Sequence, residues 1–361
     1  MEFGLSEEQR LLQTSVGRYL EEASALDHVR KAAEAHAPLA RDIWEGACEL
    51  GVAGLLVPEA YGGLELGLLE AALMAEMMGR YVAPLPYVGT AVMAPLALMK
   101  GGSEAQKDAW LPKLASGEVI AGVGVSEVIG VRDGAGLRFE NGQLNGTCLF
   151  VIDGPAADVF IVADLSGQLY LVEGQAKGLK RIDLTTIDLT RPVAELQLTN
   201  VQASPLPGGT ADVTAEIIDA GRIMLAADTL GAGDMMIEKA VAYAKERQQF
   251  GRVIGSFQAV KHLCAEMAAE LEPCRSLVWY AAYAQGAVPA DARVMACHAK
   301  AHLSEVGRFV ARTATEVHGG MGFTDLVGLH YWFKRIGLDR QLLGGPERVR
   351  EEAARIQGWA A

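Results

Sequence analysis

Several common signals are missing from this chain of 361 residues. Its five cysteines (Cys48, Cys148, Cys264, Cys274 and Cys297) are an odd number, and none stands in a Cys-x-x-Cys pair. That excludes a cysteine-framed zinc site and points to reduced cytoplasmic thiols rather than a disulfide framework. No apolar run approaches the roughly 20 residues that cross a bilayer, although half of the residues are hydrophobic. The opening Met1-Glu2-Phe3-Gly4-Leu5-Ser6-Glu7-Glu8 has neither the basic nor the apolar stretch of a secretory signal. Positive charge is in deficit, with a net charge of −13. This argues against a nucleic-acid partner, because phosphate backbones need a basic surface. An anionic small ligand stays open, since a local cluster can oppose the net charge. There is no internal repeat and no low-complexity segment.

What remains is long enough for two or three subdomains around a large core. Residues 1–119 read as an N-terminal α-helical domain. Ser6-Glu7-Glu8-Gln9 has the pattern of a helix cap, and residues 68–78 are apolar nearly all round, as in a buried helix. Val57-Pro58-Glu59-Ala60-Tyr61-Gly62-Gly63 breaks the helices. Residues 120–210 change texture and read as a middle β domain. Glu140-Asn141-Gly142 and Leu144-Asn145-Gly146 are turn signals, and Val159-Phe160-Ile161-Val162-Ala163 is a buried strand. Pro205-Leu206-Pro207-Gly208-Gly209 marks the exit. Residues 211–361 return to helices at roughly 211–246, 256–285, 290–318 and 328–357. The implied class is α+β multidomain: helical domain, β-barrel-like middle and C-terminal four-helix bundle.

Four motifs stand in a specific order: Pro58-Glu59-Ala60-Tyr61-Gly62-Gly63, Leu144-Asn145-Gly146, Arg247-Gln248-Gln249-Phe250-Gly251 with Gln258, and His318-Gly319-Gly320-Met321-Gly322. Together they resemble the acyl-CoA dehydrogenase family over nearly the whole chain. The resemblance implies FAD as cofactor, an acyl-CoA substrate and an electron-transfer flavoprotein as acceptor. In that family the flavin lies between the middle domain and the bundle of one subunit. A neighbour's Arg-x-x-Phe-Gly segment and Gly-Gly loop hold its adenine and pyrophosphate end. By motif match Arg247, Phe250, Gln258, Glu316, Gly319 and Gly320 are the flavin-facing residues, with Glu316 departing from the usual glutamine. Arginine presents a planar charged fork to a pyrophosphate, and adjacent glycines let backbone N–H groups come close.

The same resemblance exposes what is missing. The family's catalytic glutamate stands at one of two places, and they match Gly344 and Gly221 here. Asp228, seven residues after Gly221 and about 10 Å along the same helix, is the remaining candidate base; otherwise it pairs within the bundle. The family's Thr-Glu-Pro…Gly-Ser-Asp loop over flavin and CoA is shortened to Val125-Ser126-Glu127-Val128-Ile129-Gly130-Val131. Its aromatic–Ile–Thr segment along the flavin ring is Phe150-Val151-Ile152, with Ile152 replacing a hydroxyl. Asp219 and Arg222 match positions that contact the CoA end of the substrate, and read equally as a surface ion pair.

His298, His302 and Glu305 share a helix face, yet without a fourth ligand or HExxH they read as a polar face rather than a metal site. His318 reads as a packing residue, and Lys334-Arg335 as an interface or surface pair. Three functions follow. The leading one is a subunit without the catalytic glutamate, completing a partner's FAD site in a hetero-oligomer such as a heterotetramer acting on fatty acyl or steroid side-chain thioesters. The second is a self-sufficient homo-oligomer using Asp228. The third is a flavin-free acyl-CoA-binding or scaffold protein.

Overall fold

The computed structural model describes residues 4–37, 39–130 and 132–360. Met1, Glu2, Phe3 and Val131, used in the readings above, lie outside them.

The N-terminal part holds α1 (Glu7–Ala23), α2 (Leu26–Glu34), α3 (Arg41–Glu49), α4 (Leu68–Arg80), α5 (Ala94–Gly101) and α6 (Glu104–Ala115). The expected cap on α1 forms: the Ser6 hydroxyl accepts the Gln9 N–H at 3.1 Å, and the Gln9 side-chain oxygen accepts the Ser6 N–H at 2.8 Å. The Pro/Gly break is a short 3-10 turn, Glu59–Tyr61, closed by Gly62 at φ 83°. As its all-round apolar sequence implies, α4 is buried, and it packs on the first helix of the bundle. Ahead of α5 the chain makes a fully buried π-helical turn, Tyr87–Met93.

The middle part is one sheet. Its strands are β1 (Ala121–Gly124), β2 (Gly136–Glu140), β3 (Gln143–Ile152), β4 (Val159–Ala163), β5 (Leu169–Glu173), β6 (Leu179–Leu184), β7 (Val193–Gln202) and β8 (Ser204–Pro205). The order is β6-β7-β3-β1-β4-β5-β8, with β2 paired to β3. Among the described strands, only the pairing of β1 with β4 is a parallel ladder. The sheet curls until Leu137 of β2 bridges Asp164 beyond β4. That curl encloses a small core of its own, including Leu144, Cys148, Phe160 and Leu196. The outer face packs on the helices.

One turn reading is corrected. Asn141-Gly142, at φ 52° and 80°, does make the β2–β3 hairpin. Asn145-Gly146 instead lies inside β3, at a register shift against β7. A Cβ on Gly146 would stand 2.1 Å from the Gly136 carbonyl oxygen, so this glycine marks a bulge with close backbone approach.

The C-terminal part contains α7 (Ala211–Glu246), α8 (Gln258–Ala287), α9 (Pro289–His318), α10 (His330–Gln341) and α11 (Pro346–Ile356). The first four pack together, and α11 lies on α9. The last expected helix is therefore two helices. Leu343 at φ 56° and Gly344 at φ 101° break it, and Pro346 opens α11.

Sheet and helices meet at Asp153, just past β3. Its Oδ2 accepts the N–H groups of Gly89 at 2.7 Å and Thr90 at 3.1 Å. Burial pushes its carboxyl up to about 6, against the pull of Arg191 and those two bonds. The folded pKa lies above that of the unfolded chain, so the fold favours the protonated form. This group's stabilisation is complete below about pH 4 and fades as pH rises through about 6. Asp153→Asn keeps an acceptor and suits the left-handed φ of 56°. Thermal midpoints measured from pH 4 to 8 should show a smaller decline for the variant than for the parent; equal slopes would remove Asp153 from the account.

Candidate functional site

Two surfaces concern function, one facing outward and one closed. The outward surface is built where α7 and α9 end. Tyr243 near the end of α7 stacks on His318 at the end of α9, with centroids 4.7 Å apart. The His318 Nδ1 also pairs with the Ala314 carbonyl at 2.7 Å, which gives it a packing role. This stack brings the two motif segments side by side. After α7 the chain folds into a small hairpin, β9 (Gln248–Gln249) with β10 (Arg252–Val253), whose turn residues are Phe250 and Gly251 at φ 52° and 76°.

All six flavin-facing candidates are exposed: Arg247, Phe250, Gln258, Glu316, Gly319 and Gly320. The Arg247 guanidinium makes no hydrogen bond or ion pair among the described residues. A Cβ on Gly319 or Gly320 would meet nothing within 4 Å. Phe250 is 92% exposed while holding a positive φ. Inside its own chain the ring meets Phe257 edge-on, with centroids 6.1 Å apart, and most of it stays solvated. Phe323 and Leu326, just past the glycines, are 80% and 78% exposed.

The closed surface surrounds Gly221 and Gly344, the two positions expected from the motif match to correspond to the base. Gly221 is buried on α7, and a Cβ there would lie 2.5 Å from Leu343 Cδ1 and 2.8 Å from Met93 Sδ. Both neighbours are buried, Leu343 at 1% and Met93 at 0% exposure. The side-chain space at 221 is filled, not vacant. At Gly344, φ 101° is a conformation that side chains rarely adopt, and a Cβ there would stand 3.2 Å from Val349 Cγ2.

Arg222 holds this turn. Its Nε donates to the Leu343 carbonyl at 3.0 Å, Nη2 to Glu352 at 2.7 Å and Nη1 to Asp219 at 3.3 Å. Arg293 closes the network on Asp219 at 3.1 Å and Glu352 at 2.8 Å. Asp219 and Arg222 do pair, as their spacing implies, but in the interior and not at the surface. Burial raises the Asp219 carboxyl to about 6 and the Cys297 thiol to about 12. Ligand atoms of Asp219, Cys297 and Glu352 lie within 4.8 Å of one another. Two guanidiniums already neutralise those carboxylates, so the cluster is balanced without a cation. A groove of 510 Å³ opens beside it, lined by Val128, Ile129, Ala215, Ile218, Arg293 and Arg348.

Asp228 lies in a second closed network. Its Oδ2 accepts from Arg191 at 2.5 Å and from Arg335 at 3.2 Å. Arg191 also faces Asp339 at 3.2 Å, and Arg335 faces Asp188 at 3.0 Å. All five side chains are at most 6% exposed. The surface reading of Arg335 is thus corrected: it is buried and bonds Thr190 and the Ala83 carbonyl as well. Lys300 caps the end of α10, donating to the carbonyls of Asp339 at 2.5 Å and Arg340 at 3.0 Å. The sequence reading missed Arg191, Asp188, Asp339 and Lys300. One signal was available, the i,i+4 spacing of Arg335 and Asp339 on one helix face.

The middle-domain segment is folded in on itself. Ser126–Ile129 is a short 3-10 turn. Glu127 is buried, and its Oε1 accepts the Leu149 N–H and an Arg132 N–H, both at 3.1 Å. Phe150 has a φ of 52°, and Ile152 is fully buried in the main core. His298 and His302 are exposed, while Glu305 pairs with Arg308 at 2.7 Å and Arg340 at 2.9 Å.

Comparison with known proteins agrees with this architecture. Residues 6–118 match the family model for the acyl-CoA dehydrogenase N-terminal domain, and residues 196–357 that for its C-terminal domain. Acyl-CoA dehydrogenase IpdE2 of Mycolicibacterium smegmatis is 30% identical over 98% of this chain and 99% of its own. The ChsE4-ChsE5 complex from Mycobacterium tuberculosis superposes with TM-score 0.92 at 26% identity, covering 100% of both chains. The Tcur3481-Tcur3483 steroid ACAD gives 0.88 at 28% identity, covering 98% of both. No described helix is long and apolar enough to cross a membrane.

Proposed function

This chain belongs to the acyl-CoA dehydrogenase family, and from that premise we propose that it serves as the subunit without a catalytic glutamate, completing the FAD site of a base-bearing partner. The observation that carries the reading is Gly221, whose side-chain space is filled by Leu343 and Met93.

Desaturation needs a carboxylate to take the α proton of the thioester, and bound FAD supplies the acceptor for the β hydride. Neither Gly344 nor Gly221 can take a proton. Asp228 is held by two guanidiniums in the interior and is not placed to serve as a base. The inner half of a flavin site fits poorly here, because Ile152 offers no hydroxyl and is fully buried. The outward half fits well. The free guanidinium of Arg247 suits a pyrophosphate, the open backbone at Gly319 and Gly320 admits its oxygens, and Phe250 and Gln258 flank the adenine end. Asp219 and Arg222 would act toward substrate only by holding the 342–345 turn.

The steroid name of one structural neighbour and the paired names of two support a bulky acyl-CoA and an unlike partner chain; a heterotetramer and a cytoplasmic setting are proposed with them. An electron-transfer flavoprotein is the proposed acceptor.

The test is co-expression with a glutamate-bearing family member. Purified alone, the chain should hold little flavin; with the partner, about one flavin per pair of unlike chains is expected. Arg247→Ala in the pair should release flavin, read as absorbance retained on gel filtration. Stoichiometric flavin and turnover by the chain alone would sink the proposal.

A further inference from the structure

The glycine loop offered to the partner is the start of a longer exposed strap, residues 319–328, joining α9 to α10. The bundle holds its first half, a 3-10 turn over Gly319–Phe323 in which buried Gly322 packs on Thr315 of α9, and His330 of α10 stands 3.6 Å from the Asp325 carboxylate. Within the strap, the Thr324 hydroxyl donates to the Met321 carbonyl at 2.8 Å, which closes the first turn only. Beyond that turn the Gly328 N–H bonds the Thr324 carbonyl at 3.4 Å, and the strap also meets α2, far away in sequence and in the N-terminal part. The Arg30 guanidinium spans the gap: Nη2 donates to the carbonyls of Asp325 and, at 3.1 Å, of Leu326. Its Nε stands 3.6 Å from the Asp325 carboxylate. Asp27, one turn earlier on α2, orients the fork by accepting Nη1 at 2.9 Å. One turn before Arg30, Leu26 fills the space over Gly328. That glycine has a φ of 66°, and a Cβ on it would lie 2.6 Å from the leucine.

We infer that Arg30 is a positioning residue for the shared flavin site: it fixes the strap, and through it sets Gly319 and Gly320 where the partner's cofactor needs backbone donors. The inference rests on the shared-site reading above. Carbonyl groups in an exposed strap would otherwise be satisfied by water in many conformations. A planar, permanently charged fork gripping two successive carbonyls selects one. The same grip sets the direction in which Phe323 and Leu326 project, on either side of Asp325.

The experiment uses the co-expressed pair. FAD dissociation constants are measured by flavin fluorescence for the parent, Arg30→Ala, Arg30→Lys and Gly328→Ala, with thermal midpoints of the isolated chains recorded alongside. Arg30→Ala should weaken FAD by roughly tenfold, the loss of one charge-assisted fork, while the chain stays folded at the assay temperature. Gly328→Ala, which lifts the strap off Leu26 without changing charge, should weaken it in the same sense. Arg30→Lys should recover only part of the affinity. Unchanged FAD affinity in Arg30→Ala and Gly328→Ala, alongside flavin loss in Arg247→Ala, overturns the positioning role and leaves the shared-site reading standing. Flavin retained in Arg247→Ala sinks the shared-site reading itself.

Discussion

Arg335→Ala should cost the fold about 3–5 kcal/mol, the usual result of removing one partner from a buried ionic network. The arginine faces Asp188 at 3.0 Å and Asp228 at 3.2 Å, and bonds Thr190 and the Ala83 carbonyl. These partners come from the β6–β7 connection, from α7 and from the segment after α4, so one guanidinium joins all three parts of the chain. With alanine in its place, Asp188 loses its guanidinium and Asp228 keeps only Arg191. Chemical denaturation gives the value directly. A change below about 1 kcal/mol would mean that the network behaves like an exposed one. Asp228→Asn should act in the same direction but less, because the amide oxygen still accepts one hydrogen bond. In a working hetero-oligomer it should leave turnover intact at temperatures where the protein is folded. Turnover abolished in a folded, flavin-loaded Asp228→Asn complex would instead make Asp228 the base of a self-sufficient enzyme.

Gly221→Glu is the second large effect, and its direction runs against intuition. Supplying the family's missing carboxylate at a family position should not create a dehydrogenase. The new Cβ would meet Leu343 Cδ1 at 2.5 Å and Met93 Sδ at 2.8 Å, and the carboxylate beyond it would enter a closed apolar space. Overpacking costs roughly 1–3 kcal/mol, and an unpaired buried carboxylate several more unless it stays protonated. A drop in thermal midpoint and no desaturation by the chain alone are expected. Combining it with Leu343→Ala and Met93→Ala should recover part of the stability by opening room. A Gly221→Glu chain that melts like its parent and turns over acyl-CoA unaided would show that the space is not filled as described.

Local features were legible in the sequence wherever short-range chemistry decides them. The Ser6 cap, the Asn141-Gly142 hairpin and the apolar β4 each follow from a few neighbouring residues. The order of helices, sheet and helices follows from texture, and the motif order from adjacent residues. Legibility stopped where partners lie far apart. Arg335 read as a surface cation because nothing beside it shows that Asp188 and Asp228 converge on it from more than a hundred residues away. Asp219 and Arg222 were rightly paired by spacing, but their burial depends on Glu352 and Arg293. Gly146 wears the dipeptide of a turn and is a bulge, since only the opposing Gly136 carbonyl distinguishes the two. Gly221 and Gly344 are visible in the sequence as glycines, and their match to the family's base positions stays an expectation. That Leu343 and Met93 fill one of them, and that backbone geometry reserves the other for glycine, needed the third dimension.

The filled position has a historical consequence. A protein that had merely lost a side chain would stand one substitution from regaining it, and selection could cross that step in either direction. Here Leu343 Cδ1 and Met93 Sδ occupy the space that a Cβ at 221 would need, so a side chain there requires both neighbours to move. Leu343, Met93 and the turn around Gly344 would have to change first, each without reward. A substitution at 221 alone therefore does not restore a side chain to that space.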